Sequence, residues 1–121
     1  MSNNTITISG NITADPELRF TPSGKAVVNF TVADTPRLPD GQGGWTDGEP
    51  LFQRVVAWEH LAEHVAASLR RGDRVIVTGS LEGKSYTKDD TKITYAEVRA
   101  SDIGASLRFA EASITKPARQ N

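Results

Sequence analysis

Cysteine is absent from the 121 residues. That excludes a disulfide framework, a thiolate zinc site and a cysteine nucleophile. It also agrees with a reducing compartment, and the cytoplasm is the expected location. Histidine is scarce, with only His60 and His64. No apolar run approaches the length needed to cross a bilayer. The opening MSNNTITISG lacks the basic region and apolar core of a signal peptide, so no membrane association is expected. No G-x-S-x-G, phosphate-cradling glycine loop or nucleophile-plus-base grouping occurs, so neither an enzyme nor a cofactor site is expected. Charge of one sign is lacking too. The net value is −1, so a surface for a polyanion would have to concentrate its cations locally.

What is present is a chain long enough for one domain with a real core, and it alternates with period two in five places. Residues 5–9 (TITIS) place Ile6 and Ile8 on one face and Thr5, Thr7 and Ser9 on the other. Turn signals at Asp15-Pro16 and Pro22-Ser23-Gly24 flank a short extended piece, residues 17–20. Residues 25–33 form a second long strand, with Ala26, Val28, Phe30 and Val32 on one face. Residues 36–50 hold three prolines, four glycines and Trp45 without periodicity, and are expected to be a long loop. Residues 51–58 form a third strand.

From residue 59 the period becomes helical, with a Leu61–Val65–Leu69 stripe beside Ala62 and Ala66. Arg70 and Arg71 before Gly72 are expected to end the helix with cations in its last turn. Residues 74–81 and 93–103 are the fourth and fifth strands, joined by a polar hairpin connection, EGKSYTKDDTK. The class is therefore all-β with one helix. The expected fold is a five-stranded OB-fold Greek-key barrel with its helix between strands three and four. The barrel domain is placed at residues 1–104, and residues 105–121 form an extension ordered at a subunit contact or flexible.

The stretch LFQRVVAWEHLAEH, residues 51–64, admits three readings. H-L-A-E-H matches the H-x-x-E-H pattern of a zinc peptidase. Zinc also needs a third protein ligand, and both histidines fall beside the apolar stripe, towards solvent. The strand half turns Phe52, Arg54, Val56 and Trp58 to one face and Leu51, Gln53, Val55 and Ala57 to the other. If the second set is the core, the first exposes two rings and a guanidinium, suited to base stacking and phosphate contact. The third reading buries Phe52 and Trp58 in a core or subunit interface. The last hairpin adds Lys84, Tyr86, Lys88 and Lys92, and the long loop adds Arg37 and Trp45. Loops at these places assist oligonucleotide-binding barrels.

ISGNITADPELRFTPSGKAVVNFTVA and FQRVVAWEHLAEHVAASLRRGDRVIVTGSLEGKSYT together resemble the bacterial single-stranded-DNA-binding proteins, the replication-type SSB family. The resemblance runs from about Asn4 to about Ile103. It implies sequence-independent binding and protection of single-stranded DNA in replication, recombination or repair, on the nucleoid. It also implies a homotetramer. Phe52 stands at a stacking tryptophan of the family, Trp58 at its second stacking aromatic and Tyr86 at the aromatic of the last hairpin. Arg54 matches a backbone-contacting arginine, and Asn29 and Thr31 line the same groove. Arg71 replaces a DNA-contacting lysine.

The chain departs from the pattern at Thr5 and His60, where the family often has basic residues. Arg37 falls near the family's loop tryptophan and Trp45 lies further on. The long tail with an acidic tip is missing, as in a short or tail-truncated paralogue, so the family's usual tail-bound protein partners are not expected. The competing class is a protein-interaction barrel, a replication or repair scaffold with weak DNA contact.

Overall fold

The computed structural model describes residues 4–118. Met1, Ser2 and Asn3 of the expected barrel domain, and residues 119–121 of the expected extension, lie outside the described residues. Nine elements follow one another. They are β1 (Thr5–Ile12), β2 (Glu17–Phe20), β3 (Ala26–Asp34), β4 (Arg37–Pro39), β5 (Trp45–Asp47), β6 (Leu51–Trp58), α1 (Glu59–Ser68), β7 (Arg74–Lys88) and β8 (Thr91–Ala105).

The five long strands close on themselves. β1 pairs antiparallel with β7 along its length and with β3 at Asn11 and Ile12. β3 pairs antiparallel with β6, β7 with β8, and β6 with β8 in parallel. The ring β1–β7–β8–β6–β3 is complete, which leaves open edges only at β2 and along the β7–β8 extension past Ser80. β2 covers the first half of the β3 edge that β1 leaves free. Two glycines permit the tight closure. A Cβ at Gly10 would strike the Ala33 carbonyl where β1 passes from β7 to β3, and one at Gly79 would strike the Arg99 carbonyl beside the β7–β8 bulge.

The inward residues are those the alternation selects. Ala26, Val28, Phe30 and Val32 of β3, Val55 and Ala57 of β6, Val75 and Val77 of β7, Val98 of β8 and Ile12 of β1 form one core. Full burial of each large aliphatic contributes about 1.5–3 kcal/mol before chain entropy is charged against it. The helix stripe joins this core through Ala62, Val65 and Leu69. The helix follows the third long strand and precedes the fourth. In full chain order it lies between β6 and β7, because β2, β4 and β5 are short strands outside the count of five.

Four local expectations are corrected. Residues 36–50 are not an irregular loop but carry the β4–β5 hairpin. The exposed Asp40 carboxylate accepts the backbone N–H groups of Gln42 (2.8 Å) and Gly44 (3.0 Å). This side-chain turn organises a segment too rich in glycine to show a period. The polar connection after residue 81 is mostly strand: β7 runs to Lys88 and β8 begins at Thr91. Only Asp89 and Asp90 turn, both with left-handed φ (51° and 64°), as a two-residue hairpin requires. Leu51, expected on the core side, is exposed because it ends its strand beyond the barrel. No cation occupies the last helical turn. Arg70 lies past it and reaches back, donating to the carbonyls of Ala66 (2.7 Å) and Leu69 (2.8 Å).

Candidate nucleic-acid interface

The β3–β6 register sets the platform. Val27, Asn29 and Thr31 face outwards opposite Trp58, Val56 and Arg54, and Ala33 lies opposite Phe52. On the other flank of β6, the parallel register pairs Arg54 with Glu97 and Val56 with Arg99. The outward face of β8 therefore adds Tyr95, Glu97 and Arg99 to the same surface. β2 adds Arg19, whose guanidinium donates to the Asn29 side-chain oxygen. β7 adds Lys84 opposite Tyr95.

Two adjoining depressions of about 460 Å³ and about 340 Å³ result, sharing Arg19, Asn29, Tyr95 and Glu97. Val56 and Trp58 floor the first, and Arg54 and Thr31 border the second. The rings here are already held by cations. The Arg54 Cζ lies 4.3 Å from the centroid of Tyr95, and the Arg99 Cζ lies 5.6 Å from that of Trp58. Such contacts contribute about 0.5–1 kcal/mol at exposed sites. They bias ring and guanidinium towards one arrangement before any ligand arrives. Among the described residues no ring or cation lies over Phe52, which is 60% exposed. Tyr86, on the β7–β8 ribbon, lies 6.0 Å from Tyr95 at 58°.

The model of the single-strand binding protein family matches residues 3–106. The chain belongs to this family. A single-stranded DNA-binding protein of Mycolicibacterium smegmatis is 58% identical over 117 residues, which cover 95% of this chain and 71% of that protein. Among solved structures, the small single-stranded DNA-binding protein of Streptomyces coelicolor is 34% identical and superposes with a TM-score of 0.77, over 88% of this chain and 97% of that one. The Plasmodium falciparum SSB in complex with single-stranded DNA is 22% identical with a TM-score of 0.75, over 88% of this chain and 96% of that one. That likeness speaks for the fold.

Within this SSB-family barrel, not every expected residue comes to the groove. Asn29, Thr31, Arg54, Trp58 and Lys84 line it, and Phe52 continues the same strand face. Tyr86 and Lys88 extend along the ribbon, exposed. Arg37 and Trp45 sit on the β4–β5 hairpin, where the Arg37 Nε lies 3.6 Å from the Asp47 carboxylate. Arg71 lies in the turn after α1, its backbone N–H donating to Asp15 (2.8 Å), and lines neither depression. Conversely, Arg19, Phe20, Tyr95, Glu97 and Arg99 were not singled out by sequence reasoning. The signal for three of them is present: Tyr95, Glu97 and Arg99 alternate with Ala96, Val98 and Ala100. The histidine pair projects from α1, His60 with its side chain 92% exposed and 3.4 Å from Glu63. Among the described residues no three metal-ligating side chains come together. None of the helices described is long and apolar enough to cross a membrane.

Proposed function

We propose that this chain binds and protects single-stranded DNA with little regard to sequence. The observation that carries the reading is the groove of a single-strand binding family barrel in which Trp58 and Tyr95 are each capped by an arginine. Bases stack on Trp58, Phe52 and Tyr86, with Tyr95 beside them. Arg54, Lys84 and Arg19 meet the phosphates. Stacking is sequence-tolerant because every base has a face, and a duplex hides it. The charge is local: four cations, Arg19, Arg54, Lys84 and Arg99, border the groove of a chain with net charge −1. Replication, recombination and repair on the bacterial nucleoid, in the cytoplasm, are the processes this activity serves.

The test is tryptophan fluorescence on addition of oligo-dT, followed through a salt titration. Quenching with an affinity that falls as salt rises supports the reading. Equal affinity for duplex and single strand in moderate salt overturns it, and a protein-interaction scaffold shows neither quenching nor salt dependence.

The same proposal includes a homotetramer and a division of the chain at residues 104–105. One barrel covers about 4–16 nucleotides, so protecting long strands favours linked barrels. The outer face of β1 is small and hydroxyl-rich, with Thr7 and Thr78 hydroxyls 2.9 Å apart, which suits packing against a copy about a two-fold axis. Past β8, Leu107, Phe109 and Ile114 are 67%, 74% and 85% exposed. Among the described residues two arginines lie over Phe109, Arg74 and Arg108, with Cζ at 5.9 and 5.0 Å. A neighbouring subunit would bury these side chains. Light scattering at low micromolar concentration checks the number four, and a monomer mass refutes it. Deleting residues 105–121 should loosen the assembly. Unchanged mass and Tm would mean the segment is idle.

A further inference from the structure

Glu97 is an unusual residue for a surface that meets a polyanion. It lines both depressions, yet it is only 8% exposed. Its side chain makes no hydrogen bond or ion pair with any described residue. The arginines on either side are turned to rings, Arg54 to Tyr95 and Arg99 to Trp58. Its antiparallel neighbour on β7 is another carboxylate, Glu82, which lies 3.5 Å from the Lys84 ammonium. Every fully enclosed side-chain nitrogen or oxygen among the described residues has a partner, so the Glu97 oxygens open onto the groove. In the free chain water meets these oxygens, and a donor brought by a ligand would take that water's place.

An ionised carboxylate only accepts, through two oxygens side by side. Phosphates offer it nothing, so the donors must be base N–H groups. Cytosine and adenine each present one amino group. Thymine presents N3–H between two carbonyl oxygens, which oppose the carboxylate. Guanine alone offers two adjacent donors, N1–H and N2–H, at the spacing of the two oxygens. Unstacked bases in single strands are read on this Watson–Crick edge, and rings for holding such a base stand on either side at Tyr95 and Trp58.

We propose that Glu97 makes a guanine-reading subsite in the floor of the groove, accepting N1–H and N2–H of one stacked base. The subsite rests on the single-strand reading above. It superimposes a bias at one position on otherwise tolerant binding.

Three labelled oligonucleotides of equal length test it. One is oligo-dT, one carries isolated dG at every third position, and one carries dI at those positions and so lacks only the 2-amino group. Each is titrated against the native chain and Glu97→Gln. The native chain should favour dG over dI about fivefold, and Glu97→Gln should narrow this to within about twofold. Glu97→Gln should also bind oligo-dT more tightly, because a negative charge has left the groove. Equal affinities of the native chain for dG and dI overturn the subsite without need of the variant. So does a Glu97→Gln chain that keeps the native preference, which would assign the preference to another group. If oligo-dT is still bound in those cases, the single-strand reading survives. If the native chain binds none of the three, both fall.

Discussion

The barrel face and the β7–β8 ribbon carry the same kinds of side chain, rings and cations, but hold them differently. On the barrel, Trp58 and Arg54 sit on β6, which is paired on both sides, by β3 and by β8. Their neighbours Val55, Val56 and Ala57 are buried. On the ribbon, residues 83–92 are exposed with the exception of none, and the two strands have only each other. A two-stranded ribbon is marginal by itself in water. A base stacking on Trp58 meets a ring already in place, whereas one stacking on Tyr86 must also order the arm that carries it. Preorganisation, more than residue type, should rank the contacts.

The sharpest way to break that ranking is to truncate each ring. Trp58→Ala should cost the most, about 2–3 kcal/mol of oligo-dT affinity by anisotropy, and Phe52→Ala about 1–2 kcal/mol, because Phe52 has no cation above it. If both substitutions leave affinity unchanged while the fold persists, the barrel face is not the platform. Tyr86→Ala should cost less than about 1 kcal/mol. A loss as large as that at Trp58 would mean the ribbon is as rigid as the barrel, and the contrast would vanish.

The smallest effect is expected at the β4–β5 hairpin. The N–H groups of Gln42 and Gly44 hold the Asp40 carboxyl below its ordinary pKa. A depressed pKa contributes order at pH above the ordinary carboxylate value, and that order is lost as pH falls through the folded value. In a Trp58→Phe background, the fluorescence of Trp45 should therefore shift on acidification. Asp40→Asn should blunt the shift. A response identical in both would assign the titration to another group.

The barrel face was largely legible in the sequence because period two is a local property. Phe52, Arg54 and Trp58 declare their side of the strand through Val55 and Ala57 between them. The alternation of residues 25–33 did the same for Asn29 and Thr31. Tyr95, Glu97 and Arg99 alternate as clearly, but their closeness to Arg54 and Trp58 depends on the parallel β6–β8 register. Nothing in either segment states that register. Arg19 was hidden in the same way by the β2–β3 pairing. The hairpin at residues 37–47 escaped notice because its order comes from one aspartate and its backbone donors, not from any hydrophobic repeat. Arg71 was placed at the interface by resemblance alone; its backbone N–H donates to Asp15, and it lies outside the two depressions.

The parallel seam between β6 and β8 has a consequence in time. It joins residues 54–56 to residues 97–99, and the intervening chain must form α1 and turn back through β7 before the seam can close. Contacts so distant in sequence pay their loop-closure entropy before they return anything. Because β8 is the last strand in chain order, the groove cannot be complete until that strand is available. A nascent chain leaving the ribosome has Trp58 and Arg54 well before it has a place for DNA to lie. Until the final strand emerges, the Trp58 ring is exposed apolar surface without Arg99 to hold it, and it is in this interval that the chain is most open to capture by chaperones or by its own copies.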